Sequence, residues 1–489
     1  MPRLIATAVY GIGIWIIFLL DRDRKSRPSK ALWISIVWLL ISGSRPVAAW
    51  LYSGSSSLSP EQLLDGSPLD AGIRLALIIA GIAVLVGRQK AVARILQENR
   101  PMLFFLVYCA VSILWSDYPD VALKRWIKLL GDFTMILIVF TDRDRSGAIK
   151  RILACVGIIL IPTSIMLNKY YPEFARYYDP WTGRGFFSGV AADKNMLGMT
   201  CLVYGIAMLW RFVTTCKEPR GSERTRRLIA QGAIVAMVFY LFKDADSMTS
   251  ETCFFMAGFL IVATSFSRIA RKPLIVHLMV AGIVGAAFGT LFLHIGGGVA
   301  FQKLGRNATL TGRTEIWSGL LQFSGSPLFG TGFDSFWMGK RMERIWAAGG
   351  QLYGINEAHN GYLETYLNLG WIGIALLAAL IATGYRNILR ALRLEPEIGR
   401  IRLGLFVAVI VYSFTEAGFR TNSSVWIAFL LSTAALPSRP KLKLERPPAP
   451  RNFADLEAYV TPHIGASPSR QTIPPRLGKV ATGRSRAAT

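Results

Sequence analysis

The chain has 489 residues, of which 52% are apolar, 11% aromatic and only 17% charged, a balance that excludes an ordinary soluble multidomain protein. A formal net charge of +25 would suggest nucleic-acid binding in a soluble chain. Here the basic residues come in short clusters between long apolar runs, a pattern of membrane topology.

The opening run, "MPRLIATAVYGIGIWIIFLL", precedes a charge cluster and no small-x-small cleavage site, so it reads as a retained first span. Further candidate spans fall at 31–52, 70–87, 102–115, 127–140, 152–167, 195–213, 228–242, 251–266, 274–296, 362–384, 403–418 and 424–437. The expectation is an all-α polytopic integral membrane protein with about 12 or 13 transmembrane helices, some shorter than the roughly 20 residues of a straight span. Basic clusters at 21–30, 87–100, 142–151, 211–227, 267–272 and 386–402 occupy every second connection and are expected to be cytoplasmic.

The remaining connections then face outward. The largest, 297–361, is dense in Gly, Trp and charges of both signs and reads as an ordered cap. Two regions follow, a membrane domain over 1–437 and a basic, Pro-rich cytoplasmic tail over 438–489 that is expected to be disordered. Cys109, Cys155, Cys201, Cys216 and Cys253 form no CxxC pair, so neither a disulfide framework nor a zinc site is expected.

Chemistry-bearing residues gather on the outward side. In "GRGFFSGVAADKNMLG", Arg184, Asp193, Lys194 and Asn195 precede a span; they either snorkel to headgroups or belong to a loop shaped by Gly183, Gly185 and Gly189. Arg313, in "GRTEIW", offers a permanently charged planar fork suited to phosphate oxygens, or else pairs with Glu315. In "EAHNGYLETYLNLGWIG", Glu357, His359 and Asn360 stand just before an apolar run. His359 is either a packing residue or a base, and the other histidines, His277, His294 and His463, lie in or beside one apolar run or in the tail.

Asp244 and Ser247 sit on a short outward turn that either caps a helix or binds sugar hydroxyls. Glu416 and Arg420 lie near the end of the penultimate span, as substrate contacts or as a structural ion pair. Arginines that hold a diphosphate beside an imidazole that accepts a proton make a coherent device. Like-charge repulsion from those arginines would keep His359 neutral at pH 7. Apart from Asp244-Ala245-Asp246 on that turn, the outward loops contain no Asp-x-Asp and no His-rich motif, and no metal and no cofactor is expected.

"GRTEIW", "PLFGTGFDSFW" and "AHNGYLETYLNLGWIG", with "GRGFFSGVAADKN" upstream, resemble the signature regions of the bacterial O-antigen ligase and polysaccharide polymerase family. "ALWISIVWLLISGSRPVAAWL" looks more like its exopolysaccharide polymerase branch. The resemblance implies a GT-C-like glycosyltransferase of the inner membrane, working without metal at the periplasmic face. Its donor would be an undecaprenyl-diphosphate-linked oligosaccharide, transferred with inversion to an acceptor hydroxyl. Arg184 and Arg313 match the family's diphosphate-binding arginines, His359 its proposed base, and Asn360 would orient His359 or contact sugar.

Asp193 departs from that pattern, standing where a small or imidazole-bearing residue is common. The implied activity is polymerisation of repeat units into exopolysaccharide. Ligation to lipid A core is the alternative, and a non-enzymatic transporter is the reading from a different class. Expected partners are the lipid-linked oligosaccharide, membrane lipids, chain-length regulators and export proteins, with no nucleic acid.

Overall fold

A computed structural model describes residues 2–23, 26–51, 67–178, 183, 185–292 and 310–435. Residues 1–437 form one compact unit; the tail expected over 438–489 lies outside the described residues, as do Arg184, His294 and His463.

Every one of the expected spans contains a helix, and seven helices are long and apolar enough to cross a membrane alone. The chain is therefore an all-α, multi-pass membrane protein. Among the described residues the only sheet is one short hairpin, Arg176–Tyr178 against Gly185–Phe187, with Arg176 opposite Phe187.

Helix ends follow the local sequence. Ser67 accepts from the Asp70 amide with Pro68 in the first turn, while Asp144, Asp193 and Ser423 cap the Arg145–Tyr170, Lys194–Thr215 and Ser424–Thr433 helices in the same manner. Such caps satisfy amides that the helix itself cannot. The expected span at 403–418 ends early, because its helix is Pro396–Tyr412 and residues 413–423 form an irregular turn between two helices.

Burial sorts the helices. The apolar window of Arg145–Tyr170 is 78% buried and that of Lys194–Thr215 72%, against 6% for Arg3–Leu20 and 17% for Pro273–Phe292. The first pair forms the centre, packed around Trp210 and Tyr204. The outer pair exposes large apolar side chains such as Leu4, Trp15, Leu274 and Leu278, a surface that suits lipid and would aggregate in water.

The two ends of the bundle differ. At one end the basic connections meet each other: Asp21 pairs with Arg211 at 2.6 Å, Lys150 with Glu397 at 2.6 Å, and Ser26 bonds Asp144 at 3.0 Å. At the other end lie the hairpin, the 310–360 segment and the 413–423 turn. Arg3 pairs with Glu173 there at 2.8 Å, so the first helix starts at this second end.

Within the expected cap, helices Leu310–Leu321 and Gly339–Ala347 enclose a core of their own, with Ile316, Leu320, Phe336, Trp337 and Ile345 packed on Ala358 and Leu367. Residues 297–309 lie outside the described residues.

The helix Gly361–Leu394, which contains the span expected at 362–384, is interrupted at Gly370 (φ 62°, ψ −163°). The break frees backbone groups, and the cap takes them up. Thr331 and Gly332 amides donate to Leu367 and Asn368 carbonyls at 3.1 and 2.9 Å, and Trp371 and Ile372 amides donate to Pro327 and Leu328 carbonyls at 2.9 and 3.3 Å. Non-helical backbone near a membrane persists only where its polar groups find such partners. A Cβ on Gly370 would meet the Leu328 carbonyl at 2.3 Å, so both φ and space require glycine here.

Candidate functional site

The site assembles where the cap, the start of the Gly361–Leu394 helix and the 413–423 turn converge. Asn360 is buried and its Oδ1 accepts from the Tyr362 and Leu363 amides, each at 3.0 Å. It is therefore the N-cap of that helix, and the contact it makes is structural. The Gly361 amide donates to the Ser413 carbonyl at 2.8 Å, and a Cβ on Gly361 would meet the Phe419 ring at 2.9 Å. Capping and close approach together lock His359, at φ 48°, against the turn that carries Glu416.

Five side chains then form a row of alternating charge. Arg313 donates from one guanidinium nitrogen to the Thr415 carbonyl and from the other to Glu416 Oε1 at 3.1 Å. Glu416 Oε2 lies 3.3 Å from His359 Nδ1, and Glu357 Oε1 lies 2.9 Å from the same nitrogen. Glu357 Oε2 is 3.6 Å from Arg420 Nη1. The bland ion pairs expected between sequence neighbours, Arg313 with Glu315 and Glu416 with Arg420, are thus replaced by Arg313 with Glu416 and Arg420 with Glu357.

The expected electrostatic direction is reversed. Burial pulls the His359 imidazole toward neutrality, but the Glu357 and Glu416 carboxylates overcome it and push its pKa up to about 10. The arginines do not set the balance because both carboxylates stand between them and the ring. Burial likewise works against ionisation of Glu357, yet His359, Arg420 and Arg313 hold its carboxyl below the usual range. His359 rests as an imidazolium, clamped between two carboxylates. Among the described residues its Nε2 has no hydrogen-bond partner.

The upstream motif reaches this centre. Burial, with Glu357 and Glu416 among the nearby charges, pushes Asp193 up. Asp193 therefore adds a third carboxyl group near the two that hold the imidazole. Lys194 lies over the Phe186 ring at 3.7 Å, and Asn195 is half-buried in the same first turn. Arg184 lies outside the described residues.

Asp244 and Ser247 are tied into the scaffold. Asn168 donates to Asp244 at 2.9 Å, and Ser247 bonds Ser250 at 3.0 Å. The same turn reaches the site through Thr249, whose hydroxyl lies 3.3 Å from that of Thr415. His277 is bonded to Tyr385 at 2.9 Å and stands apart from the row.

Several residues of the neighbourhood escaped the sequence reading. Glu364 accepts the Trp337 indole N–H at 3.0 Å and, with Asp334 and Arg420, borders a cavity of about 60 Å³ beside the row. Asp132, a lone carboxylate in an apolar run, accepts from Trp38 Nε1 at 2.8 Å and from the Asn422 amide at 2.9 Å, anchoring the far end of the 413–423 turn. An acidic residue inside a span is the signal that marks such a position.

Glu357, His359 and Glu416 also present ligand atoms within 4.8 Å of one another, a set that suits a divalent ion in chemistry. A cation there would have to displace the pairing of Arg313 and Arg420 with both carboxylates and the proton on Nδ1.

Residues 249–378 match the sequence model of a family described as O-antigen ligase. The exopolysaccharide production protein ExoQ of Rhizobium meliloti (strain 1021) is 26% identical over 345 residues, covering 68% of this chain and 75% of that protein. The chain is O-antigen ligase-like and ExoQ-like. The ligase-like segment contributes Arg313, Glu357 and His359 to the row, whereas Glu416 and Arg420 come from a turn beyond it.

Proposed function

We propose that the protein polymerises oligosaccharide repeat units carried on undecaprenyl diphosphate into exopolysaccharide. The observation that carries this reading is the charge-alternating row, in which Nδ1 of His359 is held by carboxylates and Nε2 is left for an acceptor. An imidazole so held is oriented and made more basic, and the positive charge it gains on accepting a proton is stabilised. The hydroxyl oxygen of the acceptor attacks the anomeric carbon with inversion while the bond from that carbon to the diphosphate oxygen breaks. Its electron pair leaves with the diphosphate, and the hydroxyl proton passes to Nε2 of His359.

For that step His359 first gives up its resting proton. Arg313 turns from Glu416 to the diphosphate, where a guanidinium fork matches the phosphate oxygens; Arg184 is the second arginine assigned to it by the sequence motif. Lys194, Asn195 and Arg420 are offered to the sugars, while Asp193, Asp244 and Ser247, engaged in caps and scaffold bonds, shape the ground they stand on. The arginine row supplies the charge for the leaving group, so the reading includes no metal.

Similarity to a protein of exopolysaccharide production supports polymerisation. The ligase description of the matching family supports a second reading, transfer of the glycan to lipid A core. Basic clusters at the far end of the bundle support a periplasmic site in the inner membrane, since such clusters stay on the cytoplasmic side.

The test is purified protein in nanodiscs with a lipid-diphosphate-linked oligosaccharide and EDTA, products being separated by size. A ladder of lipid-linked oligomers is expected, lost in His359→Ala while donor binding persists. Transfer only after lipid A core is added would replace polymerisation by ligation, and near wild-type transfer by His359→Ala would sink the base role. A ladder that forms only without EDTA would replace the row by a metal site on Glu357, His359 and Glu416.

A further inference from the structure

A cavity of about 810 Å³ opens at the basic end of the bundle, between the Arg3–Leu20 helix and the N-terminal half of the Arg145–Tyr170 helix. It is remote from the His359 row, which lies at the other end. Its lining has two characters. Trp15, Phe18, Trp33 and Ile158 give an apolar wall, and five cationic side chains, Arg22, Arg27, Lys150, Arg151 and Arg211, share the lining with the carboxylates of Asp21 and Asp23.

Two of the cations are balanced within the fold. Arg211 is buried and bonds Asp21 at 2.6 Å, and Lys150 pairs with Glu397 at 2.6 Å. Arg22, Arg27 and Arg151 are exposed at the rim, with Arg151 stacked over Trp33 at 6.0 Å. The wall itself is open toward lipid, Trp15 being 62% and Trp33 50% exposed.

We propose that this groove binds an anionic glycerophospholipid, with its phosphate on Arg22, Arg27 and Arg151 and its acyl chains against Trp15, Phe18 and Trp33. Basic pockets between helices at the cytoplasmic side of a membrane have this chemistry, and interfacial tryptophans mark the depth at which head and chain meet. A soluble anion would use the rim but gain nothing from the apolar wall. The Arg3–Leu20 helix buries so little of itself in the protein that the lipid supplies much of its packing.

The experiment uses the full chain, delipidated in neutral detergent and titrated with phosphatidylglycerol or phosphatidylcholine, with native mass spectrometry and thermal unfolding as readouts. One persistent phosphatidylglycerol adduct is expected, with phosphatidylcholine at least about tenfold weaker. Each rim arginine contributes about fivefold. The combined Arg22→Gln, Arg27→Gln and Arg151→Gln variant should then weaken phosphatidylglycerol by about a hundredfold, and neutralising Arg268, Arg271 and Lys272 at the same end should leave it unchanged.

The combined Trp15→Ala and Trp33→Ala variant, which removes the exposed part of the wall and keeps every charge, should also lose the adduct; it decides the matter if the triple variant fails to fold. Equal binding of the two lipids, or equal loss in the two charge variants, would overturn the proposal. Displacement by soluble glycerol phosphate would overturn it in favour of a free-phosphate site.

Discussion

His359 is the residue on which charge and geometry meet. Its neutral form is the one that accepts a proton, and the two carboxylates raise its pKa to about 10, so neutral imidazole becomes about tenfold scarcer for each pH unit below that value. Transfer rate is expected to rise with pH between 7 and about 10 and then level. A rate that is flat or falls over this range would make the imidazolium the working form and move the base elsewhere. Glu416→Gln removes one of the carboxylates that stabilise the proton, so the plateau should begin at lower pH. An unchanged profile in that variant would show that Glu416 does not tune the ring. Arg313 and His359 were legible in the sequence because each sits in a short polar motif beside apolar chain. Glu357 and Glu416 were singled out as well, but not as the groups that hold Arg313 and His359. Residues two apart on a helix do not face each other, so Glu315 was never placed to meet Arg313, and the carboxylate that does is 103 residues away.

At the scale of the element, the interrupted helix Gly361–Leu394 decides how the cap is held. Gly370→Ala forces a Cβ into a left-handed backbone and onto the Leu328 carbonyl, at an expected cost of at least about 2 kcal/mol. Loss of thermal stability together with loss of transfer is the expected result, and a fully stable variant would show that the break is not constrained. Hydropathy located the span but could not show the break, because "NLGWIG" lies inside one continuous run and an isolated glycine within a helical pattern does not by itself mark an interruption. Likewise the span expected to reach 418 stops at Tyr412. Gly418 is packed on Ser413, and a Cβ there would lie 2.4 Å from its hydroxyl, so the turn is compact and its glycine and polar residues serve the site instead of lengthening the helix.

For the whole molecule, the alternation of basic and outward connections was readable from charge alone, and the segregation of ion pairs to the two ends agrees with it. The orientation proposed above makes a direct prediction. Cys216 is exposed at the basic end and Gly349 lies in the cap. In intact cells a membrane-impermeant thiol reagent should label a Gly349→Cys variant and leave Cys216 unlabelled until the membrane is opened. Labelling of Cys216 alone would invert the assignment and put the His359 row in the cytoplasm.

The cap is joined to the broken helix through amides and carbonyls. Side chains add to this junction where the Thr331 hydroxyl donates to the Leu367 carbonyl and Asn368 Oδ1 accepts from the Phe336 amide, each at 3.1 Å. It therefore constrains Thr331 and Asn368 together with Gly330 and Gly370 and leaves the residues between them less fixed. The mutable part of the cap can drift, or be exchanged between related chains as a cassette, without loosening its seat on the membrane domain. A row fixed by side chains beside a cover seated largely on backbone lets the cover vary while the row stays in place.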